Sequence, residues 1–203
     1  MRFKKGFTLV ELLIVIGLLG AIALIVISTI NPIEQANRAR DTKFKSDGGQ
    51  LISAIERYYT QKTEFPWQTQ TPATYTSADT AFSFISATDI NVGICGTSAV
   101  ACTDGLLISN DELKTEFKGR DFIKGNPTGN DKRIMLGKAI GSSSSIYACF
   151  VPLSKSVRER ACADGKVFTL SGSTRTQLTA GSANCAATSA TWLSAPQYVC
   201  LPE

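Results

Sequence analysis

One carboxylate, Glu11, stands inside a stretch from Phe7 to Ile27 whose only other polar residue is Thr8. A carboxylate taken into an apolar medium costs several kcal/mol or more unless it is answered, so its chemistry is charge pairing. Directly before it, Lys5-Gly6-Phe7 sets a small residue between a basic leader, Met1 to Lys5, and the apolar run, where a peptidase could cut. The second reactive set is Cys95, Cys102, Cys149, Cys162, Cys185 and Cys200, all after the apolar stretch. An even number of cysteines in an exported region reads as disulfides. They admit many pairings, and the sequential one is the expectation taken: Cys95 with Cys102, Cys149 with Cys162, Cys185 with Cys200.

The remaining chemistry is excluded by residue type. The chain has no histidine, so Ser-His-Asp and Cys-His arrangements are absent. No cysteine pair has C-x-x-C spacing, so neither zinc nor redox chemistry is indicated. Asp111, Glu112, Glu116 and Asp121 lack the alternating ligands and turn glycine of a calcium loop and read as a solvated helix face. Ser142 to Ser145 reads as a flexible turn, and no phosphate-cradling glycine loop occurs. The expectation is a substrate of processing enzymes, not an enzyme, with no cofactor and no metal.

These residues must be positioned by helices. Phe7 to Ile27 would make a helix of roughly 32 Å at ~1.5 Å per residue, the hydrocarbon thickness of a bilayer. Charges before the run, Arg2, Lys4 and Lys5, predict a cytoplasmic N-terminus and a translocated remainder. The only Ala-x-Ala, Ala21-Ile22-Ala23, lies inside the apolar run, which argues against an ordinary secretory signal. A plain signal anchor leaves Glu11 unexplained.

Gly6 followed by Phe-Thr-Leu-Val-Glu-Leu-Leu-Ile-Val-Ile resembles the N-terminal signature of type IV prepilins and of the pseudopilins of type II secretion and competence systems. The resemblance covers about residues 5 to 30. It implies cleavage after Gly6 by a membrane-embedded prepilin peptidase, N-methylation at Phe7, and pairing of Glu11 with the N-terminal amine of a neighbouring subunit during assembly. An amine created at Phe7 has the sign and reach to satisfy Glu11 of an adjacent chain. Gly17 and Ala21, with Gly20 beside them, would let such helices approach closely.

Asn31-Pro32-Ile33-Glu34 reads as a fresh helix start: cap, proline at the first helical position, glutamate three residues after the cap. Beyond it, Ile33, Ala36, Arg40, Phe44, Gly48, Leu51, Ile55 and Tyr58 recur at helical spacing. Arg38, Asp41, Lys43, Lys45, Asp47 and Glu56 are expected on the opposite faces. Phe7 to about Gln61 is then one interrupted helix, roughly 80 Å long at ~1.5 Å per residue. Thr60 to Ser77, with Phe65-Pro66-Trp67, reads as a loop. Ala78 to Ser86 reads as a short helix, Ile94 to Thr103 as a loop stapled by its two cysteines, and Ser109 to Gly119 as a helix with a capping box.

Strand-like runs follow at Arg133 to Ile140, Ser145 to Val151, Lys166 to Leu170 and Gln197 to Leu201. Their order predicts an antiparallel sheet packed on the stripe from Ile33 to Tyr58, while Ser171 to Ser194 reads as a surface loop. The fold class is α+β and pilin-like, divided into a leader (1–6), a membrane-spanning, filament-core helix (7–30), an amphipathic helix (31–61) and a disulfide-containing domain (62–203).

The formal charge of +4 falls to near +1 once the three leader cations are set aside, which gives no support for nucleic-acid binding through bulk charge. The expected function is a structural pilin subunit of a surface filament for adhesion, motility or DNA uptake. A pseudopilin or minor pilin, or outside the family a membrane-tethered binding domain, is the alternative. The resemblance implies as partners the peptidase, other copies and minor pilins, and an inner-membrane assembly platform with its ATPase. It implies the cytoplasmic membrane and then the cell surface as locations.

Overall fold

The computed structural model describes residues 6–29, 31–69, 77, 80–97, 101–141, 143–182, 185 and 189–202. Of the sequence expectations, the leader Met1 to Lys5, Ser142, and parts of the 60–77, 78–86, 94–103 and 171–194 segments lie outside them. The chain divides into two compact units, Met1–Ala36 and Asn37–Glu203.

The first unit contains helix α1, Leu9–Thr29. A second helix, α2, begins at Pro32 and runs Pro32–Lys62, so the unit boundary falls inside it. The restart obeys its local chemistry. The Glu34 N–H donates to Asn31 Oδ1 at 3.1 Å and the Gln35 N–H to the Asn31 carbonyl at 3.2 Å, while Pro32 sits where a missing N–H costs nothing.

In the second unit, α2 buries Phe44, Gly48, Leu51, Ile55 and Tyr58. Asp41 and Asp47, expected on the outer faces, are buried instead, and Ile33 and Ala36 of the expected stripe are exposed. The helical repeat explains it, because 41, 44, 48, 51, 55 and 58 is as good a three-four series as one through Arg40. Asp41 accepts from the backbone N–H groups of Leu153 and Ser154 at 3.1 and 2.9 Å and from Arg40 Nη1 at 2.8 Å.

The stripe covers a four-stranded antiparallel sheet in the order β1-β2-β3-β6: β1 Phe82–Ser86, β2 Ile134–Lys138, β3 Ile146–Phe150 and β6 Val199–Leu201. Alternation sends Ile146, Ala148 and Phe150 of β3 into the core shared with α2, and Tyr147 and Cys149 to the other face. A Cβ on Gly48 would lie 3.3 Å from both Ala148 Cβ and Leu201 Cδ1. A glycine inside a helix, which costs up to ~1 kcal/mol, is here the residue that lets helix and sheet close up.

Against the other face pack helix α5, Lys155–Ala163, helix α6, Ser189–Ser194, and a hairpin of β4, Phe168–Ser171, and β5, Thr174–Gln177. The 166–170 run is therefore not part of the main sheet; it pairs with β5, and the bridge of Phe168 to Tyr198 ties it to the strand-bearing end of the chain. The 171–194 segment, expected as loop, contains β5 and α6, whose Trp192 is fully buried.

Three other expectations change. The 78–86 segment yields strand β1, in which a register irregularity between Phe82 and Ile85 sends Phe82 and Phe84 into opposite cores. In the 60–77 segment, α2 reaches Lys62 and a short helix α3, Pro66–Thr69, follows. Over 109–119 the helix ends early: α4 is Leu106–Ser109, Asp111 turns the backbone at φ 60°, and a 3-10 turn spans Thr115–Gly119. Glu112 is buried rather than solvated, accepting from Arg57 Nε at 2.8 Å and Gln61 Nε2 at 2.6 Å. It clamps this segment onto α2 instead of capping a helix.

Four aromatic rings, Tyr59, Phe65, Trp67 and Phe82, stack in sequence with centroids 4.3, 4.5 and 4.2 Å apart. The buried Lys138 places its Nζ 5.5 Å from the Phe65 ring centre and donates to the carbonyls of Ala139 and Gly141.

The cysteines pair as Cys95 with Cys102, Cys149 with Cys200, and Cys162 with Cys185. The sequential expectation holds only for the first. Sheet register decides the second, since β3 and β6 are neighbours and set Cys149 directly opposite Cys200, with Cα atoms 4.0 Å apart. Cys162, on α5, is then left to Cys185.

Buried Asp47 carries a testable consequence. Its Oδ1 lies 3.5 Å from Arg120 Nε, and its Oδ2 has no hydrogen-bond partner. Burial pushes its pKa up, against the opposing pull of Arg120 and Lys43 and with a smaller push from Asp121. A raised folded-state pKa means that the associated stability is present below the ordinary aspartate range and is lost as pH rises through the raised value. Asp121 has the opposite sign: bonded to Lys43 at 2.7 Å, its pKa is lowered, so its contribution is lost only as pH falls through a lower window. Being exposed, that pair is weak. The melting temperature is expected to fall with rising pH across the Asp47 window in the wild type, and the slope to flatten in Asp47→Asn. An unchanged slope would remove Asp47 as the cause.

Candidate processing and assembly site

The residues at the start of α1 form a local motif that their spacing already contains. The Thr8 N–H and Oγ1 donate to Glu11 Oε2 at 2.9 and 2.7 Å, while the Glu11 N–H donates back to Thr8 Oγ1 at 3.3 Å. This is a reciprocal capping box, Thr-x-x-Glu, at the first turn of the helix. Glu11 thus has hydrogen-bond partners within its own chain, a role the sequence reading missed although the pattern was visible. Hydroxyl and amide donors leave the carboxylate's net charge in place, and in hydrocarbon that charge still requires a cation.

Gly6 and Phe7 precede the box outside any regular element and in exposed chain, with Phe7 81% exposed. The bond between them is open to an enzyme in a way that a helical bond is not. Within α1, Leu9–Ile27 is long and apolar enough to cross a membrane, with mean hydropathy 3.0, and every side chain in it is exposed. Glu11 is the only ionisable residue of that span. A Cβ on Gly17 or Gly20 would meet nothing within 4 Å, so these positions leave free room beside the helix.

The other candidate residues do not join this site. The six cysteines are all bridged within the second unit. Of the four acids weighed as a calcium set, Glu112 is paired with Arg57 and Asp121 with Lys43. Among the described residues there is no group of three or more His, Cys, Asp or Glu side chains that could hold a metal ion.

No curated protein and no solved structure matches the chain. Residues 1–27 match the family model described as the prokaryotic N-terminal methylation motif, so the segment that holds Gly6, Phe7 and Glu11 carries the type IV prepilin signature.

Proposed function

We propose that this chain is a pilin-type structural subunit, inserted in the cytoplasmic membrane with its N-terminus inside. A prepilin peptidase cuts it between Gly6 and Phe7, and it polymerises through α1 into a surface filament. The observation that carries the reading is α1 itself: a fully exposed apolar span whose single carboxylate lies four residues after an accessible Gly-Phe bond, under a prepilin signature. Cleavage places an ammonium one residue before the Thr8 cap, and the membrane offers it no better partner than Glu11 of a neighbour. In the mature chain, 7–30 is then the filament core, 31–61 the connecting helix, and 62–203 the outer domain. Adhesion, motility or DNA uptake would depend on that domain.

The test separates the two roles of Glu11. Glutamine retains the capping box but removes the charge, so Glu11→Gln is expected to insert and be cut normally. It should lower the amount of protein in sheared filaments at least ~10-fold, the effect of losing as little as ~1.4 kcal/mol per contact. Normal filaments from Glu11→Gln would reduce Glu11 to a helix cap. A non-reducing intact mass of sheared wild-type material should show a chain beginning at Phe7, one methyl group heavier and carrying three disulfides. Mature protein confined to the membrane would point to a pseudopilin or minor pilin, and recovery of only uncut chain beside an active peptidase would sink the pilin reading.

A further inference from the structure

Arg40, Arg120, Lys138 and Arg175 each lie against an aromatic ring. The first three also engage their N–H groups inside the protein: Arg40 with Asp41 and the Val151 carbonyl, Arg120 with Asp47, and Lys138 with the carbonyls of Ala139 and Gly141. Arg175 differs. Its guanidinium carbon lies 3.7 Å from the centre of the Tyr147 ring and 4.2 Å from that of Phe168, and among the described residues no acid and no hydrogen-bond acceptor answers it. None of its nitrogens is both buried and unpaired. The N–H edge therefore opens to solvent, although the side chain as a whole is only partly exposed.

Strand pairing puts these groups together. β4 and β5 set Leu170 opposite Arg175, so Phe168, two residues along, is its diagonal neighbour on the same face of the hairpin. Tyr147 stands on the face of β3 turned away from α2. The hairpin is fastened over that face at both ends: the Gly172 carbonyl accepts from the Phe84 N–H at 2.7 Å, and Phe168 and Tyr198 exchange backbone hydrogen bonds of 2.9 and 2.8 Å. A guanidinium held this way keeps its position, so little side-chain freedom remains to be lost when its edge is engaged. The rings attract the charge but accept none of its N–H groups in the guanidinium plane, where a two-oxygen anion is bound by parallel, charge-assisted hydrogen bonds.

The class of anion follows from the surroundings. The side chains that fill this side of the sheet, Phe84, Met135, Tyr147, Phe168 and Leu170, are apolar or aromatic, only partly buried, and bring no second cation. A nucleic-acid backbone is held by a row of cations; a single positive charge with apolar flanks suits one negative charge on an apolar body. We propose that Arg175 is a preoriented fork that binds a single carboxylate, with the apolar atoms beside that carboxylate against the exposed rims of Tyr147 and Phe168. An inward-facing cation also guards a free strand edge such as that of β5, but that role needs only the charge, which lysine retains. The inference does not depend on the filament reading.

The test is ligand-observed saturation-transfer NMR with the full chain in phosphatidylcholine nanodiscs. N-acetyl-leucine is expected to bind saturably, with half-saturation at about 1 mM or below. N-acetyl-leucinamide, the same body without the charge, should bind at least ~10-fold more weakly, the scale of one charge-assisted hydrogen-bonded pair. Arg175→Gln should lose as much, and Lys114→Gln on the 112–120 segment should leave binding within about twofold, since an exposed cation alone contributes little. A non-reducing mass with three disulfides and an unchanged melting curve confirm that Arg175→Gln is folded. If it is not, Arg175→Lys keeps a cation between the rings and should still weaken binding about threefold, because an ammonium cannot fork. N-acetyl-Leu-Glu-Leu-amide locates the source: tighter binding than N-acetyl-leucine assigns the carboxylate to an acidic side chain, weaker binding to a small acid or a chain end. No saturable binding by the wild type, equal binding of acid and amide, or undiminished binding by folded Arg175→Gln or by Arg175→Lys overturns the proposal. So does tighter binding of phenyl phosphate through Arg175, since the ligand class would then be wrong.

Discussion

Asp41→Ala is expected to destabilise the second unit by about 3–5 kcal/mol, the range for removing one partner from a buried charged network. The carboxylate accepts from the Leu153 and Ser154 backbone N–H groups and from Arg40, and no water reaches a side chain that is 2% exposed. Its loss strands two amides and a largely buried guanidinium, which keeps the Val151 carbonyl at 2.7 Å and the face of the Phe44 ring at 3.8 Å. Asp41→Asn should fall between, because an amide has one acceptor oxygen for three donors and points its NH₂ at one of them. Hydrogen exchange provides the local readout: protection should fall first at 153–158, where the chain enters α5. Uniform loss of protection across the sheet, with none concentrated there, would contradict the assignment.

Trp67→Ala should cost a similar ~3–5 kcal/mol, the usual penalty for truncating a buried tryptophan. Trp67 is fully buried in the middle of the ring stack, so its removal opens a cavity and separates Phe65 from Phe82. For a chain of this size a few kcal/mol lowers the melting temperature by roughly 10 °C. Trp67→Phe keeps a ring in the stack and should recover most of the loss; nothing is forfeited at the indole nitrogen, which has no hydrogen-bond partner. Equal destabilisation by phenylalanine and alanine would show that shape at this position, not stacked area, sets the energy.

The legibility of this fold in its sequence follows the strength of each local signal. α1, the restart at Asn31-Pro32 and the strands around 134–138 and 146–150 could be read directly, because each rests on an unbroken period or a cap. β1 was read as helix because Phe82-Ser-Phe-Ile-Ser is too short for its alternation to outweigh the residues around it. Asp41 and Glu112 were placed in solvent by residue type, yet their burial depends on amides and cations far along the chain that no local window contains. The Cys149 to Cys200 pairing depends on strand order, which is tertiary information. At the N-terminus the reverse occurred. The signature was plain, and the Thr8 to Glu11 cap was equally local but was overshadowed by the charge argument.

The bridges are nested. Cys149 and Cys200 are 51 positions apart, and the Cys162 to Cys185 link, spanning 23, lies wholly within that interval. Two adjacent strands of the main sheet are thus the two ends of a lariat, knotted at its neck by one disulfide and braced inside by another. The block from α5 through α6 leaves and re-enters the sheet at that neck and packs back onto its outer face. Lengthening such a closed loop is cheap, about 0.6 kcal/mol for each doubling, and its local opening need not unzip the strands that hold it. The block between β3 and β6 is therefore a closed cassette whose surface turns can take insertions at small entropic cost, while its buried residues, Trp192 among them, stay fitted to the sheet.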